Sequence, residues 1–367
     1  MTKISLLNFS ICGFKSIKCF EDFKPGRLNI LIGSNGAGKS NFISFFNFLS
    51  WILNSDGKLR EYVAYLGGAN DLLHDGADTT KSIEAHFEIQ TTSGINEYKF
   101  GLMFTKPDNL VFKEEKYRFS AKEHSKKADW SNCGVGHPEA KLPTKNSTTA
   151  KTILNLFRKF VVYQFHNTSD TAGMRLKWSV ADGRWLKDNG QNLGSFLYRL
   201  QNEEHAHYIK IVKYLRLLLP FFDDFDLYEE FGQVLLRWKE KGSTKVFNAS
   251  QASDGMLRTI ALVSLLGQPP KDLPAVLFLD EPELGLHPSA VDAVAGLIKA
   301  ASKHSQVFVA TQSVSLVNQF GINDIIVIER KGRDSQFVRP DKKQLSEYLE
   351  EYSTGELWEK NILGGRP

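Results

Sequence analysis

Apolar and polar positions along the chain set out short strands and helices in turn. Two short β-compatible runs, "ISLLNFSI" and "LNILIG", open it, with a Pro25-Gly26 turn between them. "NFISFFNFLSWIL" (41–53) is apolar on most faces and predicts a buried helix after a glycine-rich turn. "IEAHFEIQ" and "EYKFGLMF" alternate with period two on either side of "TTSGIN", which predicts a hairpin in an antiparallel layer. The pattern changes near residue 106. Residues 120–150 are polar and turn-rich and predict a surface loop. Helical signals return at 150–160 and 192–220, and "VLLRW" (234–238) predicts a strand. The last third has the form of an α/β unit. "AVLFLD", "QVFVATQ" and "DIIVIER" are buried strands, and "PSAVDAVAGLIKAASKH" is an amphipathic helix begun by Pro288 and Ser289. "LSEYLEEYSTGELWEK" predicts one more amphipathic helix. Four parts result. Residues 1–105 and 251–335 form two halves of an α/β unit, 106–250 an inserted, mainly helical lobe, and 336–367 a tail.

Composition narrows the class. The 367 residues are 42% hydrophobic and 24% charged, as in a globular protein with a sizeable core. The net charge of +4 permits nucleic-acid binding without arguing for it. The basic clusters "KEHSKK" (122–127) and "LFRKF" (156–160) are read first as solvated loop charge. Cys12, Cys19 and Cys133 have no zinc-ligand spacing, and an odd count makes no disulfide framework, so a reducing, cytoplasmic compartment is expected. No basic segment precedes a long apolar run at the N-terminus, and no stretch approaches 18 apolar residues, so neither a signal peptide nor a membrane span is expected. There is no internal repeat, and residues 106–250 carry no sustained heptads, which excludes a long coiled coil there.

The chemistry is concentrated in a few motifs. "GSNGAGKS" (33–40) matches G-x-x-x-x-G-K-[ST] in full, after a strand and before a helix. Gly33, Gly36 and Gly38, with Ser34, Asn35 and Ala37 between them, let the backbone curl around phosphate oxygens. The helix that follows turns its positive N-terminal end to the same place. Lys39 is expected to reach the β- and γ-phosphates and Ser40 to hold Mg²⁺. Far downstream, "LFLDEPELGLHP" (277–288) takes two carboxylates to the end of an apolar strand. In a phosphate-loop site Asp280 would bind Mg²⁺, and Glu281 would polarise the attacking water. Adjacent residues face opposite sides of a strand, so the two acids can take different tasks.

These motifs resemble the ABC-type ATPase superfamily, in its RecF/SMC/OLD-like branch rather than its transporter branch. "GSNGAGKSN" extends the match to Asn41, and "NFSICGFKSIKCFEDFKPGRLNILIGSNGAGKSNFISFF" resembles that branch's opening strand pair and loop. "NASQASDGMLRTIAL" (248–262) resembles the ABC signature, with Ser253 and Gly255 opening a helix. The resemblance covers roughly residues 1–105 and 245–330. It implies an α/β head with a mixed central sheet and an antiparallel β layer. It also implies ATP and Mg²⁺ as cofactors, and a head-to-tail homodimer or larger homo-oligomer in which the signature faces the partner's γ-phosphate. Arg258 would contact nucleotide or signal across that interface. "GLHP" resembles the loop along the dimer seam, which would let Glu283 and His287 cross-contact. In "FVATQSVSL" (308–316), Gln312 stands where transporter-type members carry histidine. Glutamine can donate the same hydrogen bond but cannot titrate, which suits a slow switch. "VVYQFHNTS" (161–169) resembles an element of OLD-like ATPases and offers Gln164 or His166 near Mg²⁺, with Asn167 where aspartate is common.

Bacterial OLD nucleases add a TOPRIM domain, and the stretch after Arg330 is too short for one and lacks an acidic metal cluster. The expected function is therefore that of a small single-chain ATPase. It would sense or regulate a separately encoded effector, a nuclease or toxin, in prokaryotic antiphage defence. The alternative is a RecF-like ATPase acting on DNA in repair.

Overall fold

The computed structural model describes residues 4–53, 58–122 and 127–366. In chain order, its principal elements are β1 (Ser5–Phe14), β2 (Ile17–Phe23), β3 (Leu28–Ile32), α1 (Lys39–Leu53), β4 (Ser82–Gln90), β5 (Gly94–Thr105), β6 (Asn109–Ala121) and β7 (Ser131–Gly134). They continue with α2 (Thr148–Phe157), β8 (Phe160–Tyr163), α3 (Leu193–Glu203), α4 (His205–Leu218), α5 (Asp254–Gly267), β9 (Val276–Asp280), α6 (Pro288–Ser302), β10 (Gln306–Ala310), β11 (Ile325–Lys331) and β12 (Asp334–Val338). One six-stranded sheet has the order β2-β1-β4-β5-β6-β7, and its named pairs are antiparallel. The other, in the order β12-β11-β3-β10-β9-β8, is parallel except where β12 turns back along β11.

Between the two sheets lies α1, most of whose apolar residues are buried. Phe42, Phe45, Phe46 and Phe48 are buried there among residues of both sheets. The strands of the parallel sheet are apolar throughout because both their faces are covered. Phe278 of β9 points to the α1 side and meets Phe46 with ring centroids 4.2 Å apart. Leu277 and Leu279 point the other way, into a second core built with α3, α4, α5 and α6. Gln306, buried at the start of β10, ties the sheets together. It accepts from Leu6 N–H at 2.8 Å and donates to the carbonyls of Leu6 and Gly26.

Three expectations are corrected. The antiparallel sheet runs on past residue 105. The stretch expected to begin a helical lobe instead forms β6 and β7, because β5 and β6 pair in register over nearly their whole length. Helices α3 and α4 do lie in the later part of that stretch, beside small sheets formed by 222–225, 237–240 and 246–248, and by 178–179, 229–230 and 233–234. "VLLRW" is accordingly split between two of these strands. Cys12 and Cys19 are joined by a disulfide, which the odd cysteine count concealed. The hairpin register places them opposite each other around a turn at Lys15, a contact that spacing alone cannot show. Cys133 is free and buried. Among the described residues no helix is long and apolar enough to cross a membrane.

The tail helix is also broken in two, 348–351 and 354–359, because a Ser353–Glu356 capping box starts a new helix. This second helix buries Trp358 completely, and its indole N–H donates to Gly365 O at 2.5 Å. Trp358→Ala is expected to cost about 3–5 kcal/mol of stability, measured by denaturant unfolding. A loss within error would mean that the tail does not pack on the body in solution.

Candidate functional site

The phosphate loop lies between the end of β3 and the start of α1, and its glycines are required for two different reasons. Gly33 (φ +154°) passes so close to Ile328 O that a Cβ would lie 2.3 Å from it. Gly38 (φ +115°) is pressed against Ser335 and Ser16, and a Cβ would meet the Ser335 hydroxyl at 2.2 Å. Gly36 (φ +76°) faces open space and is needed only for its left-handed backbone. Ala37 is buried, while Asn35 and Ser40 are exposed and Ser34 is half-buried. Lys39 is 5% exposed and folds back on its own loop, donating to Gly33 O at 2.6 Å and Ser34 O at 3.0 Å. Burial lowers its pKa, against the opposing pull of Glu281, Asp280 and Glu283. Asn41 donates to the Ser16 hydroxyl at 2.8 Å, the same hydroxyl that lies against Gly38.

Asp280 ends β9 on the face that Phe278 occupies, the side of α1 and the phosphate loop. Gln164, just beyond the neighbouring β8, donates to Asp280 Oδ2 at 3.3 Å. Oδ1 of Asp280 is buried with no hydrogen-bond partner. Burial raises the Asp280 pKa and Glu281 adds to the rise, while His166, Gln164 and Lys39 oppose it. A shut-in carboxylate oxygen beside a carboxamide offers hard oxygen donors, which suits Mg²⁺. His166 lies near the acid, and its backbone carbonyl accepts from Arg258 at 3.1 Å.

Glu281 sits in the left-handed region (φ +45°), uncommon for a residue with a side chain. Pro282 follows it, and two backbone bonds hold it there. Its N–H donates to Ala310 O at 2.8 Å, and its carbonyl accepts from Leu284 N–H at 3.0 Å. Gln312, just past β10, donates its carboxamide to Glu281 Oε1 at 2.5 Å. The two residues expected to act on water and γ-phosphate are thus in contact with each other.

The signature segment opens α5. Ser253 is its N-cap, and its hydroxyl accepts from Met256 N–H at 3.3 Å. Ser253 and Asp254 are exposed, so the helix end faces outward. Gly255 packs under Gly285, whose carbonyl would lie 2.7 Å from a Cβ. Arg258 is used within its own chain, donating to Phe165 O and His166 O. Glu283, expected at a dimer seam, is turned inward instead. It accepts from the Thr311 hydroxyl at 2.5 Å and from Gln312 N–H at 3.3 Å.

A family model described as "AAA domain, putative AbiEii toxin, Type IV TA system" matches residues 28–131 and 167–318, more than half of the chain. The chain belongs to this AAA-domain family. By fold it resembles the heads of SMC proteins. No curated protein is matched by the sequence. Among solved structures, the Smc head bound to the C-winged helix domain of ScpA aligns over 93% of this chain and 99% of its own, at 16% identity and a TM-score of 0.61. The Smc head with an extended coiled coil, bound to the C-terminal domain of ScpA derived from Pyrococcus furiosus, aligns over 95% and 99%, at 16% identity and a TM-score of 0.58. At that identity the likeness is one of fold: two sheets around a phosphate-loop helix, as in this AAA-domain chain.

Several residues around the site carry no sequence signal. Ser335 donates to Ala37 O at 2.6 Å and sits 2.7 Å from the Ser16 hydroxyl, bracing the loop from a strand almost 300 positions away. Arg330 of β11 reaches Gly36 O at 3.4 Å. Arg175 donates to the carbonyls of Thr168, Ala249 and Ala252 and pairs with Asp254, fastening the segment after Gln164 to the signature. Motif spacing finds neighbours in sequence, and these contacts exist only through the sheet order.

Because burial raises Asp280 in the folded chain, the folded state binds this proton at higher pH than the unfolded state does. The charged carboxylate therefore opposes folding at neutral pH, and the cost is relieved as pH falls through the raised value. Asp280→Asn is expected to raise the melting temperature of the nucleotide-free protein at neutral pH, with the gain vanishing in acid. An equal gain at every pH would show that its charge is not the cause.

Proposed function

We propose that this AAA-domain protein binds and hydrolyses Mg·ATP. The observation that carries the proposal is the convergence on Asp280. Gln164 bonds it from a strand more than a hundred residues away, and Lys39 of the phosphate loop lies close enough for its charge to act on the same carboxylate. Gly33, Ser34, Asn35, Gly36, Ala37, Gly38 and Asn41 shape the loop, and Lys39 leaves the Gly33 and Ser34 carbonyls for phosphate oxygens. Ser40, Asp280 and Gln164 would hold Mg²⁺, which neutralises charge on the phosphates when bound. Glu281 takes the proton of the attacking water. Gln312 steadies that carboxylate and cannot itself titrate, which suits slow turnover.

The outward-facing N-terminus of α5 supports dimerisation around ATP. Its free end, with Ser253 and Gly255 at the tip, is open to a second copy's nucleotide. The dimer would gate a separately encoded effector in antiphage defence, as the resemblance to OLD-like ATPases implies; the family's description names a putative toxin of a type IV toxin–antitoxin system. The named precedent for a protein partner is the Smc head, which is bound to ScpA. The described part of the basic segment 122–127 gives the DNA alternative little support. Lys127 is committed to Glu88 and Glu97, and 123–126 lie outside the described residues.

The test is the native mass of the Glu281→Gln protein purified with its neighbouring genes and Mg·ATP. A doubled mass supports the dimer, and an added second polypeptide supports the effector. An unchanged monomer mass with ATP bound would refute both.

A further inference from the structure

The acid turn after β9 and the end of β10 are stitched together at three points, and only one of them follows from the usual roles of the motif residues. Backbone joins backbone where Glu281 N–H meets Ala310 O. Side chain joins side chain where Gln312 meets Glu281. The third point is Glu283, whose Oε1 takes both the Thr311 hydroxyl and the Gln312 amide. Thr311 is fully buried, and its hydroxyl also accepts from Ser313 N–H at 3.0 Å. Ser313 in turn caps the short helix that follows, through Leu316 N–H. Thr311 N–H also donates to Leu31 O at 3.1 Å, so the 311–316 backbone is held by β3 at one side and by this carboxylate oxygen at the other. The other oxygen, Oε2, is buried without a partner. Burial holds the Glu283 pKa above its ordinary value, while the Thr311 and Gln312 donors pull it down. A surface acid would have no reason to carry that cost.

We infer that Glu283 is a positioning residue: its carboxylate fixes the Thr311–Gln312 peptide so that the Gln312 carboxamide rests on Glu281. The inference builds on the hydrolytic reading of Glu281 and adds to it a residue that touches neither nucleotide nor metal. In physical terms, Gln312 has three side-chain torsions and its carboxamide could fall elsewhere. Anchoring its backbone at the Glu283 oxygen fixes the point from which those torsions start, so the carboxamide is within reach of Glu281 before ATP arrives. Glu283 sits two positions from the residue it serves, across a proline, so the turn that places one acid also places its support.

The test compares Glu283→Ala, Glu283→Gln, Thr311→Val and the Glu283→Ala/Thr311→Val pair. Glutamine keeps an acceptor oxygen at the same reach, and alanine does not. The expected result is a fall of about tenfold in kcat for Glu283→Ala with KM for ATP within about twofold. Glu283→Gln should recover most of the loss, and the double variant should be no worse than the more damaging single change, because both cut one linkage. Additive losses, or an unrecovered Glu283→Gln, would overturn the inference. A second measurement does not depend on hydrolysis. Amide hydrogen exchange at residues 312–316 of the nucleotide-free protein should speed up in Glu283→Ala and stay near wild type in Glu283→Gln. Unchanged exchange in Glu283→Ala would overturn the positioning role. A wild-type protein that releases no phosphate would instead defeat the hydrolytic reading, with the exchange result still deciding what Glu283 holds.

Discussion

Glu281→Gln is expected to lower ATP turnover by about two to four orders of magnitude, the usual worth of a positioned general base, while ATP remains bound. The size follows from what the substitution leaves in place. The left-handed backbone at Glu281 is held by Ala310 and Leu284, not by the side chain, so the turn keeps its shape. A glutamine there can still meet Gln312, offering its carbonyl to the Gln312 carboxamide as the carboxylate does now. What disappears is the ability to accept a proton from water. Phosphate release under multiple turnover and ATP retention on a desalting column measure the two sides. Loss of turnover together with loss of ATP would show that Glu281 serves binding. Unchanged turnover would remove it from the chemistry.

Lys39→Ala should act on the other side, weakening ATP binding before any chemistry. A hydrogen bond to a charged group is worth about 1.5–3 kcal/mol, on the order of a 10- to 150-fold rise in Kd. Lys39 is already pre-positioned, buried, and held by two carbonyls of the loop it serves. Moving it to phosphate exchanges neutral acceptors for charged ones, which favours the bound state. The negative phosphate also offsets the burial that now lowers its pKa. Titration calorimetry with ATP reads the affinity, and a melting curve without ATP guards against misfolding. An affinity within about threefold of wild type would mean that the loop backbone alone holds the phosphates.

How much of this was legible in the sequence depends on the range of each interaction. The phosphate loop and acidic strand were legible because each is a local pattern with a local cause: a glycine turn between strand and helix, and an apolar run ending in acids. The helix expected over 41–53 followed from an apolar run after the glycine turn, and the hairpin of β4 and β5 from period-two alternation. Strand β6 falls where the pattern changes near residue 106, which made it part of the expected inserted lobe. Lys116 and Arg118 there lie against Trp130 and buried Glu97, contacts no single segment displays. Gln164 was one of two candidates, and the structure placed its side chain on Asp280 and left His166 nearby. Glu283 was expected to face outward because its motif resembles a seam. Its inward turn depends on Thr311, 28 residues away in the chain.

The long reach of Ser335 bears on how the protein is made. The ribosome delivers the phosphate loop long before β10 and β11, the strands that flank β3. The Ser335 brace on Ala37 comes later still. For most of translation the loop residues are present without the walls that shape them, so nucleotide can be captured only once the last strands have emerged. A nascent chain stalled before residue 306 would carry the complete motif and hold no ATP.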